Sequence, residues 1–350
     1  MCRNVPNLDK CVSSEFIIDI GQLGSIHHHN LARRHFSFGL NYTFVMESLL
    51  KWSLENTPAD EQRVPLSAER IKELDPEIID MILGKSDAVV MKEKLAIAQD
   101  ESREEDERVE ALDDFEMLVE QIDNANNLEN LKMWEPLMEL VRSPVAGVQR
   151  HAIWIAGTAV QNNSAAQNNF LKRDPLPYLL SLVTSNQVSG STRSKVLYCL
   201  SGSLKHNVGA VRRLDELGGW ETLKRTLQDP DITVRRKTAF LINTLLLQDI
   251  STSGSTAAAL HASDGPQMHG ADGPVPDSTE GLVRQAVVDH KLIQALVQPP
   301  PYGPHGDGDA VQDPDYREKV LQTVDTFVRN GGELGDAAGS VAAFKQARGA

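Results

Sequence analysis

Polar and apolar positions follow helical spacing along the middle of the chain, and one local pattern returns there at regular intervals. Residues 148–156, 192–200 and 234–242 each contain two or more polar or basic residues, then a small or β-branched residue, an aromatic and an apolar run. The segments start 44 and then 42 residues apart, and a weaker copy stands at 109–115. A recurrence of this length indicates that one helical unit is repeated along the chain.

A second pattern has the same period. Leucines and valines cluster at 137–141, 179–183 and 223–227, and each cluster is followed by a helix-breaking pair: Ser143-Pro144, Ser185-Asn186 and Asp229-Pro230. A unit of two or three helices cannot bury its apolar face alone, so neighbouring units must stack. The period falls in the range of armadillo and HEAT units. We therefore predict an all-α, armadillo/HEAT-like α-solenoid of about four repeats with a mobile N-terminal segment.

Composition predicts how the rest of the chain is organised. Prolines and glycines interrupt residues 46–103 too often for one long helix. Met46 is a possible alternative start of the protein, so residues 1–45 are interpreted as an upstream extension or a gene-model artefact. Peptides that map before Met46 in the native protein would contradict that hypothesis. The predicted regions are an atypical disordered extension (1–45), a helical or mobile N-terminal segment (46–103), the repeat core (104–250), a disordered low-complexity insertion (251–280), a degenerate C-terminal capping repeat (281–330) with its last helix near 316–328, and a flexible tail (331–350).

Composition and charge exclude several classes of protein. The chain has 350 residues, a formal net charge of −14 and an aromatic content of 5%. Low aromatic content disfavours an all-β fold, and the acidic balance disfavours nucleic-acid binding, which needs an excess of Lys and Arg. Cys2, Cys11 and Cys199 are too few for a disulfide framework and predict a reducing compartment, with Cys199 buried and inert. No apolar run reaches membrane-spanning length, so neither a nucleic acid nor a membrane is an expected partner.

The sequence contains none of the motifs that position a nucleophile, a phosphate-binding loop or a closed metal site. The run His27-His28-His29 could bind a metal, but a closed site needs ligands from a fixed scaffold, so a polar run without a metal is favoured. His151 and His206 lie near the core of the repeats, where a structural or surface role is favoured over catalysis. We therefore predict no enzyme activity, no catalytic residue, no cofactor and no metal.

The repeats place basic residues at one recurring position. His151, Lys195 and Lys237 occupy the same place in three successive units. Because equivalent positions in a solenoid line up along one face, these residues predict a basic ladder on an acidic protein. The alternative is that they are ordinary solvated helix residues, which composition alone favours.

Asparagine-rich segments recur at 124–127, 160–163 and 167–170. Asn and Asp prefer caps and turns to helix interiors, so Asn124-Ala125-Asn126-Asn127 is expected to end a helix. Two interpretations remain open. The Asn side chains could tie the turn of one repeat to the next, or they could present a polar rim to a partner.

Six segments between 46 and 250 are distinctive, and the run from 115 to 170 is specific. They read LLKWSLEN at 49–56, DFEML at 114–118, DNANNLENLK at 123–132, WEPL at 134–137, GTAVQNN at 157–163 and QNNF at 167–170. In these segments the chain resembles the armadillo-type nucleotide exchange factors of the 70-kDa heat-shock chaperones, in particular the fungal cytosolic Fes-type members. The regions 1–45 and 251–280 depart from that family core, and nothing is carried over to them.

The resemblance implies a function. Such a factor wraps its concave face around one lobe of the chaperone's nucleotide-binding domain and disfavours the closed, ADP-holding arrangement, so that ADP leaves and client release and folding are promoted. It implies a cytosolic monomer whose partner is the nucleotide-binding domain of a cytosolic 70-kDa chaperone. Leu49, Leu50 and Trp52 resemble the family's mobile segment and could imitate an extended client peptide. The implied and predicted partner-binding residues are Asn124, Ala125, Asn126, His151, Lys195 and Lys237.

The main alternative is an armadillo scaffold or transport adaptor that binds an extended peptide. Such solenoids usually carry more repeats, with Trp and Asn recurring along the groove, whereas Trp154 has Tyr198 and Phe240 at the equivalent places. A lumenal relative in the endoplasmic reticulum would need a signal peptide and a retention signal, and residues 346–350 supply no retention signal.

Overall fold

The computed structural model describes residues 85–249, 279–299 and 313–347. All of them except Lys85 belong to one compact unit, Ser86–Ala350. Three predictions therefore fall outside the described residues and stay predictions: the extension over 1–45, the client-like Leu49, Leu50 and Trp52, and almost all of the insertion over 251–280.

The described residues form fifteen α-helices and one short 3-10 helix, Gly335–Ala337, and they contain no β-strand. The prediction of an all-α fold is therefore confirmed. In chain order the helices are α1 (Asp87–Gln99), α2 (Glu105–Val119), α3 (Ile122–Asn130), α4 (Trp134–Val141), α5 (Ala146–Val160), α6 (Ser164–Leu171), α7 (Leu176–Val183), α8 (Gly190–Leu204), α9 (Val208–Glu216), α10 (Gly219–Thr226), α11 (Ile232–Gln248), α12 (Leu282–Asp289), α13 (Leu292–Val297), α14 (Pro314–Arg329) and α15 (Ala338–Gln346).

Twelve of these helices group into four repeats of three helices each: α3–α5, α6–α8, α9–α11 and α12–α14. The third helices α5, α8 and α11 begin 44 and then 42 residues apart, at positions 146, 190 and 232. The third helix of the fourth repeat, α14, begins 82 positions after α11, because residues 250–278 lie before that repeat and residues 300–312 lie within it. The predicted α-solenoid of about four repeats is confirmed, and its unit has three helices rather than two.

The third helices stack on one another and carry the core. Helix α2, which precedes the first repeat, extends the same layer, so that α2, α5, α8, α11 and α14 pack in succession. Polar side chains bridge the neighbours, for Thr158 Oγ1 donates to Glu116 Oε1 at 2.6 Å and Thr323 Oγ1 donates to the Ala239 carbonyl oxygen at 3.2 Å. A helix with a neighbour on either side must bury more than one face, and eleven of the fifteen residues of α5 are buried.

One glycine lets two third helices approach closely. A Cβ on Gly157 of α5 would lie 2.7 Å from the Tyr198 ring and 3.1 Å from the Cys199 Cα of α8, so a larger residue requires α8 to move. Cys199 is fully buried, and burial raises the pKa of its thiol to about 12. This confirms the prediction of an inert structural cysteine, because the thiolate is the reactive form.

Every repeat passes from its first to its second helix through a residue with a left-handed backbone. These residues are Lys132, Asp174, Gly218 and Lys291, with φ values of 55°, 43°, 66° and 55°. Of the four, only glycine adopts this conformation without steric cost. The geometry of the repeat, rather than local preference, therefore imposes the other three turns.

Replacing Lys291 with glycine is expected to raise the free energy of unfolding by about 0.5–1 kcal/mol, because glycine removes left-handed strain but loses more chain entropy on folding. Chemical denaturation measures the change. Lys172→Gly is the matched control, since Lys172 has a right-handed φ of −56° and should lose stability. A less stable Lys291→Gly protein would contradict the assignment of strain to this turn.

The C-terminal end differs from the predicted flexible tail over 331–350. Helix α15 occupies Ala338–Gln346 there and buries Val341 and Phe344, and the Arg317 guanidinium carbon lies 4.9 Å from the centre of the Phe344 ring. The alanines that suggest a tail are strong helix formers. The three-residue spacing of Val341 and Phe344 then gives this helix an apolar face to bury.

Two further predictions concern the ends of the repeat stack. Of the predicted helical or mobile segment over 46–103, residues 46–84 lie outside the described ones, and in the rest α1 is a continuous 13-residue helix that buries Met91, Leu95 and Ala98 and packs on α2. Helix α14 is longer than the predicted 316–328, because the Asp313 side chain caps it by accepting from the Tyr316 amide at 2.7 Å. Within the described residues, no helix is both long and apolar enough to span a bilayer.

Candidate partner-binding surface

The predicted basic residues lie on three successive third helices, each of them three positions before an aromatic residue. The side chain of each lysine reaches the aromatic ring of the preceding repeat. The Lys195 Nζ of α8 lies 3.2 Å from the centre of the Trp154 ring of α5, and the Lys237 Nζ of α11 lies 5.9 Å from the centre of the Tyr198 ring of α8. We call Lys195, Lys237 and these two rings the basic column.

Burial sets the electrostatics of both lysines. It lowers the pKa of Lys195 to about 8, with the charge of Lys237 acting in the same direction and Glu116 opposing it. Burial also lowers the pKa of Lys237, against the charge of Asp231. Lys237 Nζ donates to the Ser194 carbonyl oxygen at 3.3 Å. Both amines are therefore held in one position. A partner that binds them loses less free energy to the ordering of these side chains.

The third member of the predicted ladder is integrated into the protein. His151 is only 8% exposed. Its Nδ1 lies 2.7 Å from the Gly147 carbonyl oxygen and must donate to it, and its Nε2 lies 3.2 Å from an Asp113 carboxylate oxygen. Both ring nitrogens are engaged inside the repeat stack, so His151 contributes to packing more than to an exposed basic surface.

Acidic residues occupy the start of the same stack, on and just after α2. Glu116 is buried, and burial raises the pKa of its carboxyl, while the hydrogen bond from Thr158 acts in the opposite direction. Glu120, one residue after α2, is exposed. The helix layer therefore changes from acidic on α2 to basic on α8 and α11. A partner with the complementary order of charges would bind in one orientation.

The expectation that Asn124-Ala125-Asn126-Asn127 ends a helix is wrong, because these residues lie inside α3, and their environment differs from that of the basic column. Asn124 Nδ2 donates to Asp87 Oδ2 at 2.7 Å and to the Leu118 carbonyl oxygen at 3.0 Å. Ala125 is 3% exposed and belongs to the core. Asn126 is partly buried, and its Oδ1 has no hydrogen-bond partner among the described residues.

These three residues are therefore not joined to the basic column. Among the described residues, no hydrogen bond, ion pair or ring contact links Asn124, Ala125 or Asn126 to Lys195 or Lys237. The sequence interpretation of Ala125 as a small side chain that allows a partner to approach is not supported by its burial. An Ala125→Arg variant would combine a packing defect with any effect on a partner.

The asparagine-rich segments mostly follow the first of the two interpretations, which is that they tie turns together. Asn163 and Asn207 cap α6 and α9 by accepting from the amides of Ala166 and Ala210. Gln167 Nε2 donates to the carbonyl oxygens of Gly202 at 2.7 Å and Lys205 at 3.0 Å. This amide side chain thus satisfies the end of α8, the third helix of its own repeat, and it also donates to the Val160 carbonyl oxygen of α5, in the preceding repeat, at 3.3 Å.

Two family models match the chain. "Nucleotide exchange factor Fes1" matches residues 46–128, and "SIL1/FES1/HPBP1 C-terminal domain" matches residues 124–268. Among solved structures, a computationally designed armadillo repeat protein for modular peptide recognition is 12% identical with a TM-score of 0.48, over 74% of this chain and 86% of that one.

Several curated relatives are similar over much of the chain, and each is named Hsp70 nucleotide exchange factor FES1. The relative from Mycosarcoma maydis is 39% identical over 323 residues, which cover 80% of this chain and 82% of the relative. The relative from Cryptococcus neoformans is 41% identical over 207 residues, 55% of each chain. The relative from Saccharomyces cerevisiae is 34% identical over 189 residues, 53% of this chain and 64% of the relative. The chain therefore belongs to the Fes1 family of nucleotide exchange factors.

Proposed function

We propose that this protein binds the nucleotide-binding domain of cytosolic Hsp70 chaperones and accelerates the release of ADP, acting as a monomer and by binding alone. The matched family models and the names of the relatives support the activity. The protein forms and breaks no covalent bond in this role. Its contribution is the free energy with which it holds one conformation of the chaperone.

The thermodynamic requirement is simple. The factor accelerates exchange only if it binds the open, nucleotide-poor arrangement of the chaperone more tightly than the closed, ADP-holding one. The coupling is reciprocal, so ADP and the factor must weaken each other's binding by the same factor. A rigid stack of repeats suits this task, because a stiff surface penalises a partner conformation that does not fit it.

The observation that carries the proposed site is the basic column. Two ordered cations stand one repeat apart on a chain with a net charge of −14. Charges at an interface contribute most to orientation and partner choice when they are held in place. The alternative, an adaptor for extended peptides, has no comparable support from the names of the relatives.

The exchange activity can be measured with an Hsp70 loaded with fluorescent ADP. Wild-type protein is expected to accelerate the loss of fluorescence. The double variant Lys195→Ala/Lys237→Ala is expected to weaken the acceleration by at least tenfold, about 1.4 kcal/mol or more for two lost charged contacts.

The control for that experiment is Lys172→Ala, because Lys172 is exposed at the end of a first helix, outside the basic column. It should exchange as wild type does. Circular dichroism should show equal helix content in all three proteins. A wild-type protein that leaves the ADP release rate unchanged would overturn the function. Full activity in the double variant would overturn only the site.

A further inference from the structure

The third helices carry a series of aromatic residues, and the last of them is open to solvent. Trp154, Tyr198 and Phe240 occupy equivalent places in three successive repeats. A lysine of the next repeat lies over each of the first two rings, and both residues are partly buried. Phe240 has no cation over its ring among the described residues and is 50% exposed. The series therefore ends in an uncovered aromatic ring.

The lysine that is expected to cover Phe240 is engaged elsewhere. Lys319 of α14 is the counterpart of Lys237 of α11, because the two helices begin 82 positions apart and the two lysines have the same separation. The amine of Lys319 is paired with the carboxylate of Asp315, in its own helix. The packing of the last repeat therefore leaves the ring of Phe240 open to a second molecule.

A second exposed apolar residue shares the helix face of Phe240. Leu247 follows seven positions later on α11, which is about two helical turns, and it is 53% exposed. Asn243 lies between them, and its Oδ1 is buried without a hydrogen-bond partner among the described residues. Buried acceptors in proteins are almost always paired, so this face lacks a donor in the unbound protein. We call Phe240, Asn243 and Leu247 the α11 stripe.

The α11 stripe continues the basic column. Lys237 stands three positions before Phe240, so one face of α11 presents a cation, an aromatic ring and a leucine in that order. Phe240 is also the one aromatic among the large apolar side chains that are exposed in the described part of the chain. Exposed apolar groups with a polar rim are typical of interaction sites, and aromatic residues are enriched in the core of protein interfaces. These features indicate a contact surface for another protein.

We propose that the α11 stripe is the apolar anchor for the Hsp70 nucleotide-binding domain. The matching surface of the partner presents an apolar side chain to Phe240 and Leu247, beside carboxylates that face the basic column. This inference rests on the proposed function. The two lysines of the column select an acidic partner surface over a basic one, because they would repel the latter. The lysines then orient the partner, whereas the stripe strengthens binding by excluding water.

The test measures the affinity of the full chain for nucleotide-free Hsp70 by calorimetry at low and high salt, about 50 and 500 mM. Phe240→Ala is expected to weaken binding at least about tenfold at both salt concentrations and to make the heat-capacity change on binding less negative. The effect of Lys237→Ala should instead shrink at high salt, because salt screens charge. Val288→Ala is the matched control and should bind as wild type does, because Val288 is exposed but lies on α12.

The remaining measurements separate this inference from a folding defect and from the proposed function. Circular dichroism should show equal helix content in Phe240→Ala and wild type, and Phe240→Leu should recover most of the affinity because it restores apolar area. Unchanged affinity in Phe240→Ala, or an equal loss in Val288→Ala, would overturn the inference while wild-type exchange activity stands. A wild-type chain that neither binds Hsp70 nor accelerates ADP release would overturn both. A wild-type dimer in sedimentation that Phe240→Ala dissociates would assign the stripe to a second copy and overturn the inference.

Discussion

An Arg193→Met protein is expected to lose about 3–5 kcal/mol of unfolding free energy, because the change leaves a buried carboxylate without its partner. Arg193 Nε donates to Asp229 Oδ2 at 2.6 Å and its Nη2 donates to Asp229 Oδ1 at 2.8 Å, and both side chains are less than 10% exposed. The Nη1 donates to the Val188 carbonyl oxygen at 2.6 Å. This fork joins the start of α8 to the loop before α11. Urea denaturation followed by circular dichroism measures the loss.

Two controls separate the buried pair from a general effect of charge. Arg213→Met removes an arginine whose side chain is 43% exposed and pairs at the surface, so it should cost less than about 1 kcal/mol. Arg193→Met combined with Asp229→Asn should be less damaging than Arg193→Met alone, because no buried charge is then left unpaired. A single-variant loss no larger than that of Arg213→Met would refute the buried ion pair.

Replacing Asp249 with alanine is expected to cost about 2–4 kcal/mol and to loosen the last repeat before the rest. The carboxylate of Asp249 accepts from the Thr279 hydroxyl, from the Gly281 amide at 3.0 Å and from the Arg284 amide at 2.8 Å. The residue that follows α11 therefore caps the start of α12. Hydrogen exchange by mass spectrometry should show α12–α14 opening earlier than α5–α8, as expected for a weakened local unit.

The conservative variant Asp249→Asn supplies the control, because an amide keeps one acceptor oxygen but loses the charge that favours a helix N-terminus. It should lie between wild type and Asp249→Ala in stability. Uniform loss of protection along the whole stack in Asp249→Ala would contradict a local role for this side chain.

The repeat architecture is readable from the sequence because the third helices carry a strong signal. Each must pack on two neighbours, so its apolar run and aromatic recur with the period of the fold. The ends of the stack carry less signal. Helix α15 buries only Val341 and Phe344, and two apolar residues among alanines and glycines do not distinguish a helix from a tail. Packing against α13 decides the outcome there.

The candidate site could be predicted only in part from the sequence, because packing decides the rest of it. Lys195 and Lys237 occupy equivalent positions in their repeats, which predicts that they share a column. The offset between neighbouring helices places each amine over the aromatic ring of the preceding repeat, and this offset cannot be predicted from the sequence. For Ala125, the sequence could not decide between two roles. Its small size fits either a contact surface or a tight core, and only the packing of α3 shows that it is buried.

The carboxylate of Asp249 also fixes where the chain leaves and re-enters the stack. Asp249 and Thr279 are hydrogen-bonded to each other, so the 29 positions between them, 250–278, start and finish at one point. The entropic cost of bringing the two ends of a loop together grows slowly with the length of the loop, by about 0.6 kcal/mol for each doubling of that length. A change in the length of this segment should therefore cost the folded protein little and leave the register of the final repeat in place.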